Sequence, residues 1–595
     1  LVSQIADRAA GNPFFAESIV CDLADRNVIE GARGDYVLTR GHADVTVPAT
    51  LQAAIAARID RLDPTAKRTL NSAAVIGVRF DEDLLSELAD STALPTLLAA
   101  ELIDQVAFAP RAEFGFRHPL IHRVAYESQL KADRAALHRR IAGFMAAGPS
   151  LSDASAAMIA EHLQAAGDLR AAYDWHMRAA AWLTRRDIAG ACLSWERARQ
   201  VADVIAADDP DAVAMQIAPR TLWCANAWRL HAGVKGRRFE ELQELCDRAG
   251  DKTSPAIAMT GLLAEGVVQG RIREASQLAA EHSALLESIA DPTLMVGLAI
   301  GTIGVRVVTG EMQEVLRWSD TVIDLAHGDP VVGNYIMGSP LATAYATRSL
   351  ARWCFALPGW RDDSERAVEL ARNSDPWTRA AVTFYAFGAP IACGVMVVDE
   401  AVCREIDDAH ELAEAAGDDL GVSFTKYTKG LTLLHGDPAD RDRGVELLTE
   451  VRELTVGGRF YLSELPVIEV YLAREQARHG DVEDAINRMR AALGVLFERG
   501  QFAWGIATSA IFVETLLGRG GDGDLAEAEE VTDRLETAPL EMAAEGLDVW
   551  VLRMRAMLAD ARGEDGRYRD YRDRYRTLAA SLGFQGHVQW AEAMP

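Results

Sequence analysis

From about residue 150 onward the sequence is helix after helix, broken at glycines that recur at the length of a helix pair. The breaks are Gly270, Gly310, Gly359, Gly436-Asp437, Gly480-Asp481 and Gly523-Asp524, at intervals of 40, 49, 77, 44 and 43 residues. The long interval divides into two units if Val397-Val398-Asp399 is a worn break. Each unit holds two helices and a turn. A pair of that size cannot bury its apolar face alone, but it can by stacking on its neighbours. The period therefore restricts this part of the chain to a stack of helix pairs.

Within the stack, Asp481-Val482-Glu483-Asp484-Ala485-Ile486, followed by Met489, Ala492 and Leu493, resembles the second helix of a tetratricopeptide unit. The spacing exceeds the roughly 34 residues of the standard repeat. Residues 147–595 are accordingly expected to form a tetratricopeptide-like α-solenoid.

The residues before it fall into two zones. In 1–48 a helix is followed by a Gly11-Asn12-Pro13 break and a second helix from Phe14 to about Asp25. Val28-Ile29 and Tyr36-Val37-Leu38 can then pair across Gly31 to Gly34. In 49–146, Leu51, Ile55, Ile59 and Leu62 fall at helical spacing, and Asp63-Pro64 starts another helix. Two short helices are expected over Asp81–Ala89 and Ala93–Ile103. Val106-Ala107-Phe108 and Phe114-Gly115-Phe116 then flank a turn at Pro110 to Glu113, which is a hairpin signal. Three helices closed by a hairpin predict a winged helix. Next, His118 stands where a helix is capped and Pro119 where proline is favoured, in the first turn.

Bulk properties narrow the function. A chain of 595 residues exceeds one core, so at least two units are expected. The net charge of −27 repels a phosphate backbone and disfavours nucleic acid as a partner. Six of the 61 cationic residues are lysine and alanine is abundant, a composition of high-GC bacterial sources. Seven scattered cysteines with no C-x-x-C pair fit reduced thiols in a cytoplasm. Neither a membrane span nor a signal peptide is read, and Leu1 in place of Met suggests a start inside a longer protein.

No catalytic site is expected. There is no Gly-Lys dipeptide, so no P-loop can be built from this chain, and there is no G-x-S-x-G elbow. His118 and His122 are four apart, but without a neighbouring Glu or third ligand they read as a cap and a surface histidine, not as metal ligands. Trp353, Trp360 and Trp377, with Phe384, Tyr385 and Phe387, either pack a core or line a groove on the concave side of the solenoid. Arg569, Arg572, Arg574 and Arg576 form a cationic stretch in a tail that reads as a helix end rather than a reader of DNA.

Two stretches carry a family resemblance. Ile5-Ala6 and Gly11-Asn12-Pro13-Phe14-Phe15-Ala16-Glu17 resemble the segment that closes the ATPase unit in STAND-type signalling ATPases. Val47-Pro48, Leu51, Ile55 and Arg58-Ile59-Asp60-Arg61-Leu62, then Phe116-Arg117-His118-Pro119-Leu120-Ile121 and Ala125-Tyr126, resemble the winged helix that follows it. In bacteria this arrangement lies downstream of class III adenylate/guanylate cyclase domains and within LuxR-type regulators. The fold so implied is mostly α: the end of an ATPase lid (1–48), a winged helix (49–146) and the solenoid (147–595).

The resemblance further implies that Gly11 and Pro13 lie against a nucleotide base and that His118 reaches the phosphates of ADP. ATP or ADP is then the cofactor of the intact parent, and none is expected on this chain alone. The function implied is the regulatory sensor region of such an ATPase, joined to an adenylate/guanylate cyclase. The solenoid would bind a protein or small-molecule signal, and the chain's own upstream ATPase and cyclase domains would be its partners. The alternatives are a LuxR-type regulator lacking its DNA-binding end and a free-standing helical-repeat scaffold.

Overall fold

A computed structural model describes residues 2–9, 11–32, 35–39, 50–108, 111–147, 153–184, 186–205, 209–230, 237–538 and 544–595. Leu1, Gly34, Val47, Pro48 and Pro110, used above, lie outside these residues. The chain is mostly α and divides into two compact units, Leu1–Pro219 and Arg220–Pro595.

In the first unit α1 (Val2–Ala9) leads into α2 (Pro13–Asp25). Pro13 occupies the first turn, where its missing N–H costs nothing, and Asn12 Oδ1 accepts from Phe15 N at 3.2 Å. Phe15, Ile19 and Leu23 bury one face of α2 against Ile29 and Ala54. Asp22, buried on α2, is held by Arg61 at 2.7 Å. The small hairpin forms as β1 (Ile29–Ala32) and β2 (Asp35–Leu38), with Ile29 opposite Leu38.

α3 (Leu51–Asp60) and α4 (Pro64–Ile76) follow, capped by the Thr50 and Asp63 side chains. After them come β3 (Arg79–Asp81), α5 (Glu82–Ser86), α6 (Leu94–Ala99), β4 (Ile103–Ala107), β5 (Glu113–Phe116) and α7 (Pro119–Glu127). The strands form one antiparallel sheet in the order β3-β5-β4, with Phe80 opposite Phe114 and Ile103 opposite Phe116. Their inner faces join Ile55, Ile59, Leu70, Leu97 and Ile121 in one core.

The sequence pattern differs from this in two places. The helix expected to reach Ile103 stops at Ala99, because Glu101 turns left-handed (φ +52) and Ile103 enters the sheet. β3 carries a single buried apolar residue, Phe80, too little to show alternation. α8 (Lys131–Ala147), α9 (Ala156–Ala166), α10 (Leu169–Leu183) and α11 (Ile188–Ala202) then pack successively, each on the next. α12 (Ala212–Asn226) carries the boundary between the units at Pro219.

The second unit continues with α13 (Arg237–Ala249), α14 (Thr253–Val268), α15 (Ile272–Ile289), α16 (Pro292–Thr309), α17 (Met312–Ala326), α18 (Pro340–Cys354), α19 (Trp360–Ala371) and α20 (Pro376–Thr383). A π-helical segment, Phe384–Gly388, runs into α21 (Ala389–Ala392), followed by α22 (Glu400–Ala416), α23 (Asp419–His435), α24 (Arg441–Val456) and α25 (Leu465–Arg478). α26 (Val482–Arg499), α27 (Phe502–Arg519), α28 (Asp524–Glu536), α29 (Ala544–Ala561), α30 (Asp565–Leu582) and α31 (Gln585–Ala593) complete it.

Packing shows the repeat directly. α14 pairs with α15, α16 with α17, α18 with α19, α23 with α24, α25 with α26, α27 with α28 and α29 with α30. The first helices of successive pairs also stack, α14 on α16, α16 on α18, α25 on α27 and α27 on α29. This is the solenoid. The glycine breaks are the turns inside the pairs, and Gly270, Gly310, Gly359, Gly480 and Gly523 all take positive φ. The long interval contains α20, the π-helical segment and α21 in the place of a first helix, packed on α22. Asp399 caps α22 by accepting from Val402 N at 2.8 Å, so the worn break is a real helix start.

The inner row curls back on itself, since α16 touches α27 and α18 touches α29. That closure explains why α16 is apolar on nearly every side. Among the described residues it is the helix long and apolar enough to cross a membrane, and most of it is buried in this unit.

Candidate functional site

Where the inner helices of the second unit face one another they line a partly open cavity of about 120 Å³. Aromatic side chains are prominent in its walls, with Trp228, Trp377, Phe384, Tyr385, Phe424, Tyr461 and Trp504 all contributing. The rings form a continuous network. Trp377 stacks on Tyr461 at 6.2 Å and meets Phe424 edge-on at 5.2 Å, while Phe384 meets Phe424 at 5.6 Å and Trp504 at 5.8 Å. Most of the aliphatic remainder comes from α14 and α16, including Leu263, Ile300 and Val308, and Ile336, Met337 and Ala381 add to it. Trp377, Tyr385, Tyr461 and Trp504 keep accessible surface, yet burial pushes the phenols of Tyr385 and Tyr461 well up. The surface these rings expose lines this partly open cavity.

One acid, Glu464, lies among these rings. It precedes α25 in a segment pinned from two sides: Leu462 N donates to Val268 O at 2.8 Å, and the buried Gln501 Nε2 donates to Ser463 O at 2.8 Å. Tyr427 donates its hydroxyl to Glu464 Oε2 at 3.0 Å, and Ser463 Oγ reaches Oε1 at 3.4 Å. Burial pushes this carboxyl up to about 7, against the opposing pull of Tyr427, Ser463 and Trp504. The Trp504 indole is close enough to act on the carboxyl but closes no hydrogen bond of acceptable geometry. No salt bridge to Glu464 occurs among the described residues, and no Lys, Arg or His lines the cavity.

The aromatic cluster read from the sequence is divided by the fold. Trp377, Phe384 and Tyr385 line the cavity. Trp353 lines a separate void of about 30 Å³ beside Cys354 and Cys393, Trp360 is buried, and Phe387 packs on Ile391, Val402 and Ile406. Trp228, Phe424, the Tyr461–Glu464 segment and Trp504 are not legible, because they come from four separate parts of the chain and only the curl of the solenoid gathers them. A glutamate at a helix start carries no local sign that it will be buried.

In the first unit, Gly11, Pro13 and His118 share one neighbourhood through Phe14. The Phe14 and His118 rings stack at 3.9 Å with 9° between their planes. His118 caps α7, its Nδ1 accepting from Leu120 N at 3.1 Å, and Pro119 fills the first turn. Gly11 is left-handed (φ +81), and a Cβ placed there would meet nothing within 4 Å. Arg117 joins Glu101 at 3.0 Å and Glu17 on α2 at 3.6 Å, which ties α2 to the sheet edge. His122 does not pair with His118 around a metal: its Nε2 lies 2.9 Å from Ala74 O. Among the described residues no three His, Cys, Asp or Glu side chains gather as metal ligands.

No family model matches the chain. An uncharacterized protein of Rhizobium meliloti (strain 1021) is 28% identical over 169 residues, which is 27% of this chain and 16% of that protein. The match thus spans about a sixth of the relative's length. Among solved structures, a STAND protein with a tetratricopeptide repeat sensor from Pyrococcus horikoshii aligns over 99% of this chain and 71% of its own, at 10% identity and a TM-score of 0.35. Yeast Tom70 aligns over 79% of this chain and 93% of its own, at 12% identity and a TM-score of 0.26.

Proposed function

We propose that this chain is the regulatory sensor region of a STAND-type signalling ATPase, in which the helical-repeat unit receives the signal and the first unit, with its winged helix at 49–146, holds the ATPase in check. The observation that carries the reading is the Phe14–His118 stack. It sets the Gly11-Asn12-Pro13 turn beside the His118 cap, the two places where the family resemblance puts the nucleotide.

The residues fit a nucleoside diphosphate. His118 Nδ1 is spent as an acceptor for Leu120 N–H, so the neutral ring carries its proton on Nε2, which can donate to a phosphate oxygen. Gly11 and Pro13 offer a rigid turn without a side chain on its open face. The nucleotide itself would supply the charge that keeps the resting state closed. Signal binding would shift the balance between closed and open forms only through its different affinity for the two.

We further assign the attached output to a class III adenylate/guanylate cyclase rather than to a DNA-binding end. This follows from the family resemblance alone, and the cationic stretch of α30 adds nothing in favour of DNA. Arg572 is engaged with Asp573 and the Pro595 carbonyl, Arg574 with Asp570 on the same helix, and Arg576 donates to Ala591 O of α31 at 3.2 Å. In the intact parent, His118→Ala should release bound ADP at least tenfold faster than wild type, read by displacement of a fluorescent ADP analogue. An unchanged rate would remove His118 from the nucleotide site.

A further inference from the structure

We propose that the aromatic cavity of the helical-repeat unit is a binding site for a small organic cation, a protonated or quaternary amine about the size of choline. Three features of the wall point the same way. First, seven aromatic rings, three of them tryptophan, contribute to it, and a cation over the face of Trp or Tyr is attracted by the ring quadrupole, most strongly where water is excluded. Second, its ionisable groups are one carboxyl, Glu464, and phenols, with no cationic side chain among the lining residues. Third, the three threonines that reach it direct their hydroxyl hydrogens to nearby backbone carbonyls: Thr260 donates to Ile257 O at 2.6 Å, Thr343 to Ser339 O at 3.3 Å, and Thr347 to Thr343 O at 2.9 Å. Their oxygens can then serve a further partner only as acceptors, as Thr347 Oγ1 already does for Ser319 Oγ at 3.0 Å.

A buried carboxylate without a cation is costly, so in the free protein Glu464 holds its proton more firmly than an exposed glutamate does. A cation entering the cavity supplies the missing counter-charge, and the proton then leaves to solvent. Arg229 and Asp418 act on Tyr461 with opposite signs, and neither is a lining residue. The size also fits. Engineered apolar cavities of about 150 Å³ hold benzene, so a void of this class takes a ligand of six or seven heavy atoms.

The site deepens the sensor reading by naming the chemistry of its signal, and its test needs neither nucleotide nor cyclase. Its failure and that of the ADP-release experiment are therefore separate results. The test is calorimetric titration of the chain with choline and with 3,3-dimethyl-1-butanol, the uncharged molecule of the same shape, while tryptophan fluorescence is followed. Choline should bind at least tenfold more tightly than the alcohol and change the fluorescence. Glu464→Gln should remove most of that preference. Gly304→Leu, which places a side chain into space where a Cβ meets no atom within 4 Å, should abolish binding of both while keeping helical circular dichroism and the melting temperature. Equal affinity for the alcohol, no binding of choline at millimolar concentration, or full binding by Gly304→Leu would each overturn the proposal.

Discussion

Tyr427 donates its hydroxyl to Oε2 of Glu464 at 3.0 Å, and both side chains are buried. The hydrogen bond favours the ionised carboxyl, while burial disfavours it more, leaving the group near 7 instead of 4.5. The folded protein thus binds a proton here that the unfolded chain has already released. The stability this gives is full below about 4.5 and is lost as the pH rises through 7. Relative to Glu464→Gln, the wild type should lose roughly 2–3 kcal/mol between pH 5 and pH 8. Tyr427→Phe should move the transition to higher pH. Urea unfolding at both pH values measures the difference, and parallel profiles for wild type and Glu464→Gln would show that the carboxyl stays charged.

Gly304 and Gly261 lie in neighbouring inner helices and should respond oppositely to the same methyl group. A Cβ on Gly304 meets nothing within 4 Å, so Gly304→Ala exchanges a flexible residue for a good helix former at no steric cost. It should stabilise by about 0.5–1 kcal/mol. A Cβ on Gly261 would sit 2.1 Å from the Cys224 carbonyl oxygen, where backbone must move. Gly261→Ala should therefore cost about 1–3 kcal/mol. Thermal melts of the two variants decide this, and a stabilised Gly261→Ala would mean that α12 and α14 are more loosely joined than they are drawn.

The contrast shows what a sequence can and cannot disclose. The glycine rhythm from Gly270 to Gly523 is legible because most of the turns inside the pairs, all but that at Gly436, place a left-handed residue there, a strictly local demand. The Asn12 and His118 caps are legible for the same reason. The cavity is not, because Trp228, Phe424, Glu464 and Trp504 meet only after the inner row has closed, with α16 against α27. Periodicity sees one helix at a time and places Trp377 on an apolar face, but it cannot say whether that face meets another side chain or a void. β3 escapes for a plainer reason, being three residues long with one of them buried.

The Phe14–His118 stack predicts a cost that can be divided between its two parts. His118→Ala removes the cap on α7, about 1 kcal/mol, and the ring contact, a further 0.5–1.5 kcal/mol or so. His118→Asn can restore the cap but not the stack, so it should recover roughly the first amount. Phe14→Leu should lose the stack alone. If His118→Asn is no better than His118→Ala in chemical denaturation, the 3.1 Å contact to Leu120 N contributes nothing to stability.

Buried histidines give the last prediction, with the opposite sign to Glu464. His282 sits between Thr302 Oγ1 at 2.9 Å and Ala256 O at 3.1 Å. The carbonyl can only accept, so Nε2 carries the proton and Nδ1 takes the threonine hydrogen, which fixes a neutral ring. Burial holds this ring down at about 4 and His435 at about 3, and His138 and His176 also at about 4. As the pH falls from 6.5 toward 4 the unfolded chain takes up protons that the folded one refuses, so stability present above 6.5 drains away. At pH 5 the loss from His282 alone should be about 2 kcal/mol, which His282→Gln would remove. Four such rings outweigh one carboxyl working the other way, so the wild type should be markedly less stable at pH 5 than at pH 7. Proton NMR of the ring resonances provides a direct check, because a His282 titration near 6.5 would place the ring in water and not between Thr302 and Ala256.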